Sequence, residues 1–352
     1  MASRMIGVDI GNTHIRAAEV ELSGRSGNLL GTLAAFASIP VPPGAVGDGE
    51  VLEVQTIATL LKQLWSRGGF SQKHVVVGLG SPRTVVREME VPALPMSQVR
   101  TSLQFQVAEI LPMPTDEALL DFYPTAHRVD DGRELLRGIL VGAAKASVST
   151  TIMAVETAGL RPIGVDLSAF ALVRAQTAGE WGQQTVAFVD VGARVTTVVI
   201  AERGQPRMVR LLPTGGQDAT DAVVSAMQVP VGDAEQLKRA IGLSAEVAPG
   251  QELARDAVSQ ATRQLVEGVR NTFVYFTGNN PGQSIQHVVL TGGGAFLPGL
   301  GQYLASTSRL PVSFGAGPVG VKVSKKAAAN TAGQEMLITT AVGLALAEVH
   351  SK

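Results

Sequence analysis

Two aspartates carry the chemistry that this chain offers on first reading. Asp9 lies in Val8-Asp9-Ile10-Gly11, followed by Arg16-Ala17-Ala18-Glu19-Val20, and Asp190 lies in Val189-Asp190-Val191-Gly192, followed by Thr196-Thr197-Val198-Val199-Ile200. In each copy an apolar strand ends on a carboxylate, bends at a glycine and resumes as a second strand, which is the pattern of a β-hairpin. Backbone N–H groups of such a turn can hold phosphate oxygens, and the adjacent carboxylate can hold a magnesium ion through water. One Asp-X-Gly turn is an ordinary hairpin. Two of them, one opening each half of the chain, can clamp a polyphosphate from opposite walls. Thr291-Gly292-Gly293-Gly294 adds a glycine-rich strand end. Thr214-Gly215-Gly216 opens a helix whose first N–H groups are expected to be free for phosphate.

The elements that must position these residues follow from periodicity. Strands are expected over 5–10, 15–21 and 29–38, joined by the Gly11-Asn12 turn and by a Ser-Gly-rich turn over 23–27. A loop is expected over 40–49. Ile57, Leu60, Leu61, Leu64 and Trp65 recur at helical spacing, and 74–79 reads as a buried strand. From Pro82 the texture changes to a βαββα block. Its first helix is capped by Ser97, with Val99, Leu103, Val107 and Ile110 inward and Phe105 also expected in the core, and its strands turn at Asp130-Asp131-Gly132. Its last helix, over 147–158, turns Val148, Ile152 and Val155 inward. The block, bracketed by Pro82 and Pro162, reads as an inserted subdomain.

A strand over 163–166 and a helix over 169–178 close the first half. The second half repeats the opening hairpin and adds a strand over 207–212. Helices are expected over 231–242, with Glu235 and Lys238 on its polar side, and over 252–276. A strand over 286–291 feeds the glycine triplet. Residues 315–333 read as a loop carrying solvated Lys322, Lys325 and Lys326, and 338–349 as an apolar closing helix with Gly343 at a close contact.

Length and composition bound the function. A chain of 352 residues exceeds the usual single core, so two domains are expected. The hydrophobic fraction of 45% supports sizeable cores, whereas aromatics at 4% and a net charge of −1 argue against a nucleic-acid partner. The absence of cysteine excludes disulfides, thiolate metal sites and a cysteine nucleophile, and fits a reducing compartment. No apolar run is long enough to span a bilayer, and no leader of signal-peptide form opens the sequence, so a soluble cytoplasmic protein is expected.

Residues 9–16, 189–197, 214–216 and 290–294 together resemble the two phosphate motifs and the adenosine motif of the actin-like ATPases. Within that superfamily, Ser102-Leu103-Gln104-Phe105-Gln106-Val107-Ala108-Glu109-Ile110-Leu111-Pro112, Val141-Gly142-Ala143-Ala144-Lys145 and Thr157-Ala158-Gly159-Leu160-Arg161-Pro162-Ile163-Gly164-Val165-Asp166 resemble the type IV pilus assembly PilM family, a relative of the division protein FtsA. The resemblance spans essentially the whole chain. It implies an α/β, actin-like two-domain fold with RNase H-like halves and an inserted FtsA-type 1C subdomain. The parts would be 1A at 1–81 and 162–183, 1C at 82–161, 2A at 184–227 and 277–352, and 2B at 228–276.

By the same resemblance the cofactors are ATP or ADP with Mg2+. Gly11, Asn12, Thr13 and Arg16 would meet the β- and γ-phosphates, with Arg16 standing where the superfamily usually has lysine. Asp9 and Asp190 would hold hydrated magnesium, and Gly192 and Ala193 would meet phosphate. Gly215 and Gly216 would meet the ribose-phosphate, Glu235 and Lys238 the ribose and adenine, and Gly292, Gly293 and Gly294 the nucleotide face. Family members commonly carry Asp-Val-Glu-Pro-Phe where this chain has Asp166-Leu167-Ser168-Ala169-Phe170, which removes a carboxylate that could orient the attacking water and implies slow or absent hydrolysis.

The implied role is that of an adaptor at the inner face of the cell membrane, held there through a partner and not by direct insertion. It would bind the cytoplasmic N-terminal peptide of PilN in a groove between 1A and 1C, with pilus motor ATPases as further partners. A small-molecule kinase and a filament former like FtsA or MreB remain the alternatives. The kinase lacks an acceptor base beyond the two aspartates, and membrane anchoring of the FtsA kind lacks an amphipathic tail.

Overall fold

Alternating and continuous apolar runs build the same sheet twice. The computed structural model describes residues 3–26 and 29–347. The chain opens with β1 (Arg4–Ile10), β2 (His14–Ser26) and β3 (Leu29–Pro40), then a small ribbon of β4 (Val46–Gly47) and β5 (Glu50–Val51), α1 (Val54–Gly68) and β6 (His74–Leu79). Next come β7 (Val85–Pro92), α2 (Met96–Gln106), β8 (Ala118–Asp130), β9 (Arg133–Ala144), α3 (Lys145–Thr157), β10 (Arg161–Leu167) and α4 (Ser168–Gln176). The second half holds β11 (Thr185–Val191), β12 (Thr196–Glu202), β13 (Gln205–Leu212), α5 (Gly216–Met227), α6 (Val231–Ile241), α7 (Glu252–Asn279), β14 (His287–Thr291), α8 (Leu300–Ser308) and β15 (Val312–Phe314). β16 (Val321–Val323), α9 (Lys325–Thr331) and α10 (Thr339–Ala345) end the described chain.

The first sheet runs β10-β6-β1-β2-β3-β16 and the second β13-β12-β11-β14-β15. From β3 to β10 the first repeats the order of the second, so the two hairpins noted in the sequence occupy equivalent places. Their registers agree as well: Asp9 pairs with Arg16 and Ile10 with Ile15, as Asp190 pairs with Thr197 and Val191 with Thr196. Helices cover the sheets with apolar stripes at helical spacing. Ile57, Leu61 and Leu64 of α1 pack on the first sheet, and Leu265, Val266, Val269, Phe273 and Phe276 of α7 on the second.

The structure redraws several expected boundaries. β16 pairs in parallel with β3, α9 packs on β3, and α10 packs on β1, β2 and α4, so the chain after β15 returns to the first half instead of staying with the second. The expected loop over 315–333 contains β16 and α9. The short runs Val321–Val323 and Lys325–Thr331 carry too few residues to show a period; pairing with β3 makes the first a strand, and the Ser324 cap with packing on β3 supports the second as a helix. Likewise β4 interrupts the expected loop over 40–49 and pairs with β5 just beyond it.

The insert is smaller than expected. β7, β9 and β8 form a three-stranded sheet over α2, but α3 packs against α1 and β5, with Ala154 and Val155 in the core of the first half. Helix α2 begins at Met96, with Pro95 at the capping position and no side-chain cap, so Ser97 lies inside the helix. Val99, Leu103 and Val107 are buried as expected, but Phe105 and Ile110 point outward, Phe105 being 76% exposed. Gly343 is at the expected close contact: a Cβ there would lie 1.9 Å from the Ala171 carbonyl oxygen, so α10 and α4 touch backbone to backbone. Residues 27 and 28 of the expected turn, and the expected closing helix beyond 347, lie outside the described residues.

Candidate nucleotide site

Strands β1 and β11 both run toward one cleft of about 810 Å³, and every residue singled out above for nucleotide or metal lines it. The two turns close identically. Gly11 N–H donates to His14 O and Gly192 N–H to Val195 O, each at 3.0 Å. This leaves the N–H groups of Asn12, Thr13 and Ala193 without an acceptor among the described residues, and those of Gly293 and Gly294 likewise. Uncommitted donors in a walled cleft favour an anion.

The electrostatics agree. Burial pushes the Asp9 carboxyl above the ordinary range, with the Arg16 guanidinium pulling it back. Asp190 is pushed up to about 6, first by burial and second by the charge of Asp9, while Arg16 and the Thr340 hydroxyl oppose. The charge of Asp9 is therefore felt at Asp190 across the cleft, and a divalent cation would favour the ionised form of both buried carboxyls. Arg16 Nε is buried without a hydrogen-bond partner, and its guanidinium sits in no ion pair among the described residues. An orphaned guanidinium beside two carboxylates and uncommitted N–H groups fits a metal-bound polyphosphate. Among the described residues no set of three His, Asp or Glu gathers as a metal cage, so such an ion would complete its shell from water and phosphate.

Some expected roles are corrected. The first-turn donors of α5 are not free: Gly215 N–H is capped by Asp218, Gly216 N–H donates to Gly192 O at 2.9 Å, and Gln217 N–H to Ala193 O at 2.8 Å. The helix start is thus stitched to the second hairpin and shapes the cleft without donating into it. The Asn12 amide is also committed, donating to Val46 O and accepting from Gly49 N–H, so this side chain fixes the β4–β5 ribbon. Lys238 is turned inward and not to the polar side. Its Nζ donates to Gly216 O and Thr220 Oγ1, both at 3.0 Å, and pairs with Glu235 at 2.6 Å. Burial alone would raise Glu235, but hydrogen bonds from Lys238, Thr220 and Arg239 outweigh it and hold the carboxyl below its usual range.

The glycine triplet divides by task. Gly292 has φ +85°, and a Cβ on it would lie 2.1 Å from Asp190 Oδ1; one on Gly294 would lie 2.4 Å from Val191 Cγ1. These two let the strand end press against the second hairpin, whereas a Cβ on Gly293 meets nothing within 4 Å and that residue faces the cleft.

Sequence reasoning missed Thr340, whose hydroxyl reaches Asp190 from α10, and Gly80, Gln217 and Phe296 on the lining. Thr340 was beyond reach of a motif because α10 belongs to the other half. Phe296 lies two residues beyond the glycine triplet and, at 54% exposure, is an apolar surface at the cleft mouth. Ser168 starts α4 and lines the cleft, so the missing carboxylate is missing from the cleft itself.

Cell division protein FtsA of Bacillus subtilis (strain 168) is 19% identical over 261 residues, covering 67% of this chain and 58% of FtsA, so the chain spans little more than half of that curated relative. A solved PilM-PilN type IV pilus biogenesis complex superposes with a TM-score of 0.84 at 26% identity over 100% of both chains. MreB 5 of Spiroplasma citri bound to AMPPNP superposes with a TM-score of 0.54 at 12% identity, covering 90% of this chain and 92% of that one. The fold is thus the expected actin-like α/β architecture. Residues 7–349 match the family described as type IV pilus assembly protein PilM, and the chain belongs to that family.

Proposed function

We propose that this protein is a nucleotide-binding adaptor of a type IV pilus machine. The observation that carries the reading is the convergence of Asp9, Asp190 and the unpaired Arg16 with two uncommitted hairpin turns on one cleft. Asp9 and Asp190 hold hydrated Mg2+. The turn N–H groups at 12, 13 and 193 and the Arg16 guanidinium take the phosphates of ATP or ADP. Gly293 and the region of Glu235 and Lys238 lie along the sugar and base. The MreB relative is bound to AMPPNP, which supports a nucleotide as occupant.

Turnover is slow, because Ser168 supplies a hydroxyl where in-line attack calls for a carboxylate to orient water. The nucleotide then serves to set the cleft. The PilM-PilN complex supports PilN as partner, with its cytoplasmic N-terminal peptide as the segment bound and motor ATPases reached through the assembly. The first half offers an extended peptide the outer edge of β10, which has no strand neighbour among the described residues and exposes Ile163 and Val165. The protein works at the inner face of the cell membrane through this partner. Among the described residues no helix is long and apolar enough to cross a membrane.

Calorimetric titration with ATP and Mg2+, followed by a synthetic PilN N-terminal peptide, tests both parts. Saturable binding of each, with D9N abolishing only the nucleotide arm, is expected. Peptide binding with no nucleotide binding would leave an adaptor without the cleft chemistry, and absence of both would end the proposal.

A further inference from the structure

We propose that the end of the first half opposite the cleft is a docking face for an anionic membrane surface. Arg4, Glu21, Thr32 and Lys322 stand at one level of the sheet through the registers of β1, β2, β3 and β16. Arg161 pairs with His74 at the same end, and its N–H donates to Lys73 O at 2.8 Å. Lys326 Nζ reaches Gly69 O at 3.2 Å, which brings the start of α9 beside the last turn of α1 and Arg67.

The six cations Arg67, Lys73, Arg161, Lys322, Lys325 and Lys326 are exposed and sit in no ion pair among the described residues. Among the described residues, Glu21 pairs with Arg4 at 2.9 Å and buried Glu19 is held by Arg4 and Ser71, which leaves exposed Glu156, five residues before Arg161, as the one carboxylate set against the six cations. The strip crosses six strands, or about 24 Å at the usual strand spacing. In a chain of net charge −1, this concentrates uncompensated positive charge on one face.

A broad, flat array of flexible basic side chains suits a charged lipid surface. Val323 adds an apolar contact among the lysines, at 46% exposure. Among the described residues the large exposed aromatics, Phe105, Tyr123, Tyr275, Phe296 and Phe314, lie on other elements, and Trp65 and Phe70 at this end are part-buried against each other with ring centroids 4.7 Å apart, so the face is poor in stacking surface for single-stranded nucleic acid. Docked this way, the cleft at the far end of β1 stays open to solvent. The inference does not depend on the nucleotide reading.

Co-sedimentation with phosphatidylcholine vesicles, with and without phosphatidylglycerol, is the test. Binding is expected only with the anionic lipid, and is expected to vanish near about 1 M salt, where screening acts beyond about 3 Å. K322E/K325E/K326E should cut the bound fraction about tenfold, and R67E/K73E/R161E should do likewise should the first variant melt early. Reversal of Arg263, Arg270 and Arg309 in the second half should change little. No binding to anionic vesicles at low salt would overturn the proposal and leave the lysines as guards of the short edge strand β16. Equal binding to neutral vesicles, an equal loss in the second-half variant, or a homopolymer RNA bound where vesicles are not would overturn it too.

Discussion

At the residue scale, the cleft keeps two carboxylates in a place that suits them poorly without a cation. Asp190 has a folded pKa of about 6 against an ordinary 3.8, so between those values the native state holds a proton that the unfolded chain has released. Stability from this group is therefore greatest at low pH and is lost as pH rises through about 6. D190N should stabilise the nucleotide-free protein in EDTA by about 1–3 kcal/mol at pH 8, read as a higher melting temperature, and by about half as much at pH 5. The same variant should lose the stabilisation that Mg-ATP confers on the wild type. Equal gains at both pH values would show that relief of charge is not the cause. Ser168 leads to a second expectation: ATP turnover well under the roughly 1–100 s⁻¹ of kinases, raised by S168E with ATP affinity little changed. Asp190 was legible because its hairpin is a contiguous motif, and Ser168 because the segment 166–170 departs from the pattern of the family it resembles. The commitments of Asn12, Gly216 and Gln217 were not, since their partners lie on other segments.

At the element scale, the insert bridges the two halves. Arg207 of β13, only 12% exposed, pairs with Glu202 and reaches Glu88 of β7 at 3.7 Å, while Arg137 of β9 binds Glu88 at 2.6 Å and Asn280 at 3.2 Å. Ile139 packs into the same core as Phe188, Val199 and Val209 of the second sheet. β13 then runs from this junction to Thr214-Gly215-Gly216 at the cleft, so the junction and the site share one rigid strand. R207A should cost about 2–4 kcal/mol by leaving Glu202 part-buried without its cation, while Glu88 keeps Arg137. A double-mutant cycle with E88A should give a coupling of about 0.5–3 kcal/mol, measured by urea unfolding. Additive losses would mean that β7 and β13 merely lie side by side. The βαββ pattern of the insert was legible from its alternation and its Asp131-Gly132 turn. Its docking was not, because a salt-bridge network between strands over a hundred residues apart has no local signature.

At the scale of the whole molecule, the order of the chain decides which half each segment completes. A bipartite reading assigns everything from residue 184 onward to the second half, and the repeated hairpin encourages it. The structure interrupts that logic after β15, where the chain crosses back, adds β16 to the free edge of β3 and buries every residue of α10 against the first sheet and α4. Ile338, Val342 and Leu344 are essentially sealed from water, and Gly7 and Gly343 exist to admit the helix backbone. At about 1.5–3 kcal/mol for each large apolar side chain, with the alanines in addition, α10 contributes roughly as much as the 5–15 kcal/mol by which a domain is usually stable. A chain cut after Phe314 should therefore keep a cooperatively folded second half, whose five strands and α5 to α8 are contiguous, and lose the first. Hydrogen exchange should then protect β11, β12 and α7 while β1, β6 and α4 exchange freely, and a peptide of residues 315–347 added in trans should restore part of that protection. Collapse of the second half with the first intact would reverse the assignment.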